Sequence, residues 1–151
     1  MAPIADALVV DASVAVKWHL VDEEHSDMSA LLLRQFMIGA LEIVAPSHIR
    51  FEVTSAITVA TTGRESRLTV EEGREAIEEF LAIGITTVDR NDLILAAFRL
   101  VHEFGVSIYD ALYLAVARDV RVPLLTADRR FYHRTSHLSE VIWIGDYARV
   151  R

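Results

Sequence analysis

Short runs of aliphatic and β-branched residues alternate along this chain with longer stretches of helical period. This alternation predicts an α/β fold, because parallel strands need long crossover connections and helices usually supply them. The expected strands lie at 7–10, 42–45, 85–88, 123–126 and 141–144. The sequence therefore predicts a central, mostly parallel sheet of five strands.

Helical periodicity fills the segments between these strands. Thr69 followed by Glu72 is a capping-box pattern that predicts a helix start, and Gly39 and Gly63 follow helical stretches as stop signals. The expected helices cover 11–18, 24–38, 46–63, 69–82, 91–105 and a stretch from 107 through 116, with a short helical turn at 131–133.

Length and composition limit the architecture and the cellular setting. The chain has 151 residues and is 52% hydrophobic, which suits one domain over residues 1–151 with a sizeable core. No apolar stretch reaches the roughly 18 residues of a membrane span. Acidic residues, Asp6 and Asp11, stand near the N-terminus where a secretory signal would carry Lys or Arg. Since cysteine is also absent, we expect a cytosolic protein without a membrane anchor.

The net charge of −7 excludes a protein that coats nucleic acid through bulk positive charge. Any contact with nucleic acid must therefore be local. Arg129 and Arg130 follow Asp128 directly, and their planar guanidinium groups suit phosphate. We predict that these two arginines contact phosphate, with surface ion pairing as the alternative interpretation.

Four carboxylates stand in or beside apolar sequence, namely Asp11, Glu52, Asp110 and Asp128. A charge in such surroundings is costly unless a cation or a proton compensates it. Asp11 and Asp128 follow expected strands, whereas Glu52 and Asp110 come early on expected helices. Because these positions gather at the carboxyl edge of a parallel sheet, the pattern predicts one divalent-metal site there.

The ligand types indicate which metal this site would take. Ligand sets made only of oxygen select Mg²⁺ or Mn²⁺ over zinc. Ser13 and Thr126, each two residues from an acid of the set, offer hydroxyls that can orient a carboxylate or a bound water. A structural alternative stays open for each acid, since Asp11 and Asp128 can cap helices and Asp110 can favour a helix dipole.

Four segments of the chain resemble, in order and spacing, the PIN-domain ribonucleases, and within them the VapC toxins of bacterial and archaeal toxin–antitoxin pairs. The segments are 10–18, 46–53, 108–117 and 124–131. The resemblance covers nearly the whole chain and implies a three-layer α/β/α domain. It carries over an acidic quartet with two supporting hydroxyls: Asp11, Glu52, Asp110 and Asp128, with Ser13 and Thr126.

The resemblance also implies an activity and partners. It implies an endoribonuclease that depends on Mg²⁺ or Mn²⁺, forms a homodimer and is silenced by a small VapB-like antitoxin in its active-site groove. Direct attack of water on phosphorus would leave 5′-phosphate and 3′-hydroxyl ends, and the RNA target stays open. The mean hydropathy of +0.30 is high for a small monomer and favours a dimer or an obligate partner.

Two other classes of protein also fit an acidic pocket on a parallel sheet. Receiver domains and haloacid-dehalogenase-like phosphatases use an Asp nucleophile with Mg²⁺ and need a lysine at the pocket. The only lysine, Lys17, lies well into the first expected helix, and Ser13 stands where the phosphatase has its second Asp. Both enzyme classes are therefore disfavoured, whereas a catalytically weak PIN-like binding module remains an alternative.

Overall fold

A computed structural model describes residues 6–147, and within them five strands form a single sheet. The strands are β1 (Asp6–Val10), β2 (Leu41–Pro46), β3 (Thr86–Val88), β4 (Leu124–Thr126) and β5 (Val141–Trp143). Their order in the sheet is β3-β2-β1-β4-β5, and every neighbouring pair is parallel. The predicted α/β fold with a mostly parallel five-stranded sheet is confirmed.

Seven α-helices connect the strands in the described part of the chain. They are α1 (Ala12–Ala15), α2 (Ser26–Met37), α3 (Ile49–Ala60), α4 (Val70–Ile83), α5 (Asn91–Phe104), α6 (Ile108–Val120) and α7 (Arg129–Thr135). Short 3₁₀ turns occupy Val16–Trp18 and Ile144–Asp146. Within residues 6–147 no single helix is long and apolar enough to cross a membrane, and only α5 and α6 together, bent by 113°, reach that length and composition.

Three helices differ from the sequence prediction at their starts. The helix expected from residue 24 begins at Ser26, because His25 before it is in the left-handed conformation. The helix expected from Pro46 begins at Ile49, because Pro46 still belongs to β2 and pairs with Val88 of β3. The turn expected at 131–133 is a longer helix, α7, because the Asp128 side chain accepts a hydrogen bond from the Phe131 N–H and so starts the helix earlier.

The sheet is buried between layers of helices, which confirms the three-layer α/β/α arrangement. Helix α6 packs against β1, β2 and β4, while α2 packs against β2. Val9, Val10 and Leu124 are fully buried at the centre of the sheet. Strands covered on both faces are expected to be apolar, as 7–10 of β1 and 124–125 of β4 are here.

The chain reverses its direction of travel across the sheet between β1 and β4. From β1 it proceeds outward to β2 and β3, and then returns to place β4 on the other side of β1, with Val10 opposite Leu125. The loops after β1 and β4 therefore diverge and open a crevice at the carboxyl edge, which is where open α/β sheets bind ligands.

Candidate functional site

The four predicted acids line one hollow at the carboxyl edge of the sheet. Asp11 follows β1 directly, Asp128 lies two residues after β4, and Glu52 and Asp110 occupy the first turns of α3 and α6. Together they line a cavity of about 240 Å³, here called the acidic hollow. Ser13 also lines it, whereas Thr126 lies buried beneath it, bonded to Asp11.

Asp11 is held rigidly at the base of this hollow and is only 4% exposed. One carboxylate oxygen, Oδ1, accepts hydrogen bonds from the Ser13 hydroxyl and, at 3.3 Å, from the Val14 N–H. The other oxygen, Oδ2, accepts a hydrogen bond from the Thr126 hydroxyl. Burial raises the pKa of Asp11 to about 7 although these hydrogen bonds lower it, and the charge of Asp110 raises it further.

The same two hydroxyls join the loop after β1 to the loop after β4. Ser13 Oγ accepts a hydrogen bond of 2.9 Å from the Ala127 N–H. Thr126 Oγ1 accepts one of 3.1 Å from the Asp128 N–H. Since both hydroxyls also donate to Asp11, the positions of Asp11 and Asp128 are coupled through a single network of hydrogen bonds.

Glu52 contacts two aromatic side chains, Tyr113 and His48, that are not among the predicted site residues. The Tyr113 hydroxyl donates a hydrogen bond of 2.8 Å to Glu52 Oε1. His48 Nε2 lies 2.9 Å from the same oxygen but is not aligned for a hydrogen bond. Burial, reinforced by the negative charge of Glu52, raises the pKa of Tyr113 well above its ordinary value, so that the phenol stays a neutral donor.

Asp110 and Asp128 complete the hollow from two helix starts. Asp128 Oδ1 caps α7 by accepting a 3.1 Å hydrogen bond from the Phe131 N–H. The Asp110 N–H donates to Ser107 Oγ at 3.1 Å, so Ser107 and not Asp110 caps α6. Burial raises the pKa of Asp110, and the nearby charges of Asp128 and Glu52 raise it further. Asp128 can therefore cap α7 and line the acidic hollow at the same time.

The donor chemistry of the acidic hollow fits a hard divalent cation. None of the described residues that line it is Lys or Arg, so no side chain there offsets the carboxylates. Burial is the main cause of the raised pKa values of Asp11 and Asp110, and the negative charges of neighbouring carboxylates raise both values further. As the side chains stand, no three His, Cys, Asp or Glu residues within 6–147 converge tightly enough to form a ligand group by themselves.

The two arginines predicted to contact phosphate have different environments. Arg129 turns away from the hollow, because its Nη2 lies 3.3 Å from Glu24 Oε2 and its guanidinium stands 5.1 Å from the centre of the Trp143 ring. Arg130 lines a second cavity of about 250 Å³ together with Arg134. This second cavity shares Asp110 and Asp128 with the acidic hollow.

The only lysine does not reach the carboxylates. Lys17 is buried and its Nζ lies 3.1 Å from Glu23 Oε2, and it does not line the acidic hollow. The receiver domain and the haloacid-dehalogenase-like phosphatase both need a lysine at the pocket. The structure therefore gives no support to either Asp-nucleophile alternative.

Comparison with known proteins identifies a family for most of this chain. A sequence profile of the family described as "PIN domain" matches residues 8–136. No curated protein matches the sequence.

Solved structures share the fold at low sequence identity. PAE2754 from Pyrobaculum aerophilum has a TM-score of 0.68 at 21% identity, with 95% of each chain covered. Mycobacterium tuberculosis VapC20, described as a sarcin-ricin loop cleaving toxin, has a TM-score of 0.61 at 16% identity over 83% of this chain and 93% of its own. VapBC2 from Rickettsia felis, solved with a DNA fragment from their promoter, has a TM-score of 0.60 at 12% identity over 91% and 96%. At these identities the likeness establishes the fold.

Proposed function

The chain belongs to the PIN domain family, and we propose that it is a metal-dependent endoribonuclease and the toxin of a VapC-type toxin–antitoxin pair. PIN domains are generally nucleases. The observation that carries the proposal is the meeting of Asp11, Glu52, Asp110 and Asp128 in one hollow without a compensating cation among the side chains that line it. We also propose that residues 1–151 form a single PIN domain, since the family profile spans 8–136.

Each side chain of the hollow has a proposed part in the reaction. The four carboxylates would hold Mg²⁺ or Mn²⁺, which supplies neutralisation of phosphate charge and a more acidic bound water. Ser13 and Thr126 keep Asp11 in a fixed orientation through their hydroxyls. Tyr113 fixes Glu52 from the opposite wall. Because these contacts exist before substrate arrives, little reorganisation is needed when the phosphate binds.

Hydrolysis at this site is expected to leave 5′-phosphate and 3′-hydroxyl ends. Water attacks the phosphorus directly, so the ribose 2′-hydroxyl is not a nucleophile and a 2′-deoxy substitution at the cleaved nucleotide is tolerated. End-group labelling and mass spectrometry of the cleaved RNA measure both properties. A 2′,3′-cyclic phosphate product, which a metal-free histidine nuclease makes, would contradict the proposed reaction.

A binding module with little catalytic activity is the second candidate function. It is favoured by the absence, within residues 6–147, of three metal-binding side chains that already converge. Calorimetric titration with Mn²⁺ separates the two candidates, because the enzyme must bind the ion at the acidic hollow. A protein that binds neither Mg²⁺ nor Mn²⁺ at millimolar concentration belongs to the binding class.

We propose that the protein is cytosolic and forms a homodimer that a small VapB-like antitoxin silences. The support is exposed apolar surface, since Phe51 and Val59 on α3 and Leu95 and Phe98 on α5 are each more than half exposed. Sedimentation is expected to give twice the 16.9 kDa of one chain, and a larger species with the partner encoded beside it. A monomer at micromolar concentration, alone and with that partner, would contradict the assembly.

A further inference from the structure

We propose that the cavity lined by Gly105, Ser107, Arg130 and Arg134, here called the arginine hollow, binds a phosphate of the RNA strand next to the phosphate that is cleaved. The inference rests on the proposed ribonuclease function and adds a second phosphate site to it. The ligand class is a phosphodiester of single-stranded nucleic acid. Gly105, Arg130 and Arg134 line this cavity and do not line the acidic hollow.

The arginine hollow is the direct continuation of the acidic hollow. It encloses about 250 Å³ between the turn that joins α5 to α6 and the first turns of α7. Asp110 and Asp128 line both cavities, so the two hollows share one wall. A strand whose phosphate lies at the carboxylates therefore passes over the arginine hollow when it leaves the site on that side.

The two guanidinium groups of this hollow form no direct ion pair with another described side chain, although Asp110 and Asp128 line the same cavity. Neither Arg130 nor Arg134 has an ion pair within residues 6–147. Some of the other described arginines form ion pairs, for example Arg67 with Asp22, Arg90 with Asp119 and Arg118 with Glu140, whereas others, such as Arg34, do not. In a chain of net charge −7, two free arginines beside the acidic hollow form a local site for an anion.

Local geometry holds both arginines toward the hollow. They stand four residues apart on α7 and therefore on one face of the helix. Between them Phe131 is buried, which fixes the rotation of α7. Gly105 ends α5 with a φ of +67°, and a Cβ placed there would lie 3.0 Å from Arg134 Nη1. The missing side chain at Gly105 lets the Arg134 guanidinium lie against the turn.

The arrangement also explains how an acidic protein accepts RNA. The carboxylates repel a phosphate until a cation is present, whereas the guanidinium groups attract one directly. Contacts to phosphate carry no sequence information. The arginine hollow is therefore expected to set the register of the strand over the carboxylates and not to select its bases.

The test combines arginine variants with neutral linkages in the substrate. A single-stranded RNA oligonucleotide is made with one methylphosphonate at either linkage that neighbours the mapped cleavage site. For the wild-type protein, one of these two neutral linkages is expected to lower kcat/KM about tenfold, the usual effect of losing a hydrogen bond to a charged group. In the R130Q/R134Q double variant, the same linkage is expected to have no further effect.

Direct binding gives a second measurement that does not need catalysis. The affinity of the protein for a 12-nucleotide single-stranded RNA, labelled with fluorescein at its 5′ end, is measured by fluorescence anisotropy in EDTA. The measurement is repeated over a series of KCl concentrations. Each arginine removed is expected to reduce the slope of log K against log salt by about 0.7. Arg34→Gln is the matched control, since Arg34 lies in the last turn of α2, beside the opposite, amino edge of the sheet, and has no ion pair in the described chain.

The possible results separate this inference from the proposed function. If the wild-type protein cleaves RNA and the double variant shows the same methylphosphonate penalty or the same salt slope, the arginine hollow is not a phosphate site. The proposed nuclease function is unaffected by that result. If the wild-type protein cleaves no RNA but its salt slope still depends on Arg130 and Arg134, the proposed nuclease function is wrong and the phosphate site is supported. Circular dichroism must show that each variant is folded.

Discussion

Replacing Asp11 with asparagine is expected to lower the rate of RNA cleavage about a thousandfold while the fold persists. The proposed metal ion would supply several kcal/mol of charge stabilisation in the transition state, and each 1.36 kcal/mol corresponds to about tenfold in rate. Asp11 is the most deeply buried acid of the hollow, at 4% exposure, so solvent cannot compensate there for the loss of its charge. Asparagine keeps nearly the same volume and removes that charge.

The fold is expected to survive because the neighbours of Asp11 can adapt. Ser13 and Thr126 are hydroxyls that both donate and accept, so one of them can rotate to accept from the new amide NH₂. Their own bonds from the Ala127 and Asp128 N–H groups do not involve Asp11. Circular dichroism and the urea midpoint of the variant measure whether the structure is retained.

The control for this variant is an aspartate in a similar position outside the hollow. Asp89 follows β3 at the same edge of the sheet, is exposed and does not line the acidic hollow. Asp89→Asn is therefore expected to cleave RNA at the wild-type rate in a quenched-fluorophore assay with Mn²⁺. Wild-type turnover by Asp11→Asn in the same assay would show that Asp11 is not part of the proposed metal site.

Much of the fold could be predicted because local signals agree with the tertiary arrangement. The capping box of Thr69 and Glu72 is present at the start of α4, and Gly105 ends α5 in the left-handed conformation. The start of α3 could not be predicted in the same way. Pro46 is a common helix-start residue, but here its strand pairs with β3, a contact between segments some forty residues apart. Long-range pairing prevailed over the local preference.

The meeting of the four carboxylates at one edge could be predicted because it depends on topology alone. Once Asp11 and Asp128 follow neighbouring parallel strands, the order of the sheet brings them together. The groups that hold the acids depend on how helices pack, which periodicity does not give. The hydrogen bond from Tyr113 to Glu52 joins α6 to α3 and has no counterpart in the local sequence.

Spacing on each helix nevertheless contained a usable signal. Tyr113 lies three residues after Asp110, and His48 four residues before Glu52, so each pair shares a helix face. The helical period also explains why Arg129 and Arg130 have different environments, because adjacent residues on a helix point about 100° apart. Arg129 contacts Glu24, and Arg130 faces the hollow that Arg134, four residues on, also lines.

The metal-free protein is expected to lose stability as the pH rises from about 4 to 7. The folded-state pKa of Asp11 is about 7 and its ordinary value is 3.8. Between these values the native state binds a proton that the unfolded state has released, so the free energy of unfolding falls with rising pH. At about 1.4 kcal/mol per unit, the change amounts to roughly 4 kcal/mol, and the raised pKa of Asp110 acts in the same direction.

Urea unfolding followed by the fluorescence of Trp18 and Trp143 measures this dependence in EDTA. Asp11→Asn is expected to lack most of the decline and to be more stable than the wild type at pH 8. The lowered pKa of His19, caused mainly by burial, gives stability an opposite slope below the ordinary value of 6.5, but it is common to both proteins and cancels in the comparison. Mn²⁺ at pH 8 is expected to stabilise the wild type and not the variant, because an ion that binds only the folded state adds its binding free energy. Parallel pH profiles for the two proteins would show that Asp11 does not carry an uncompensated charge.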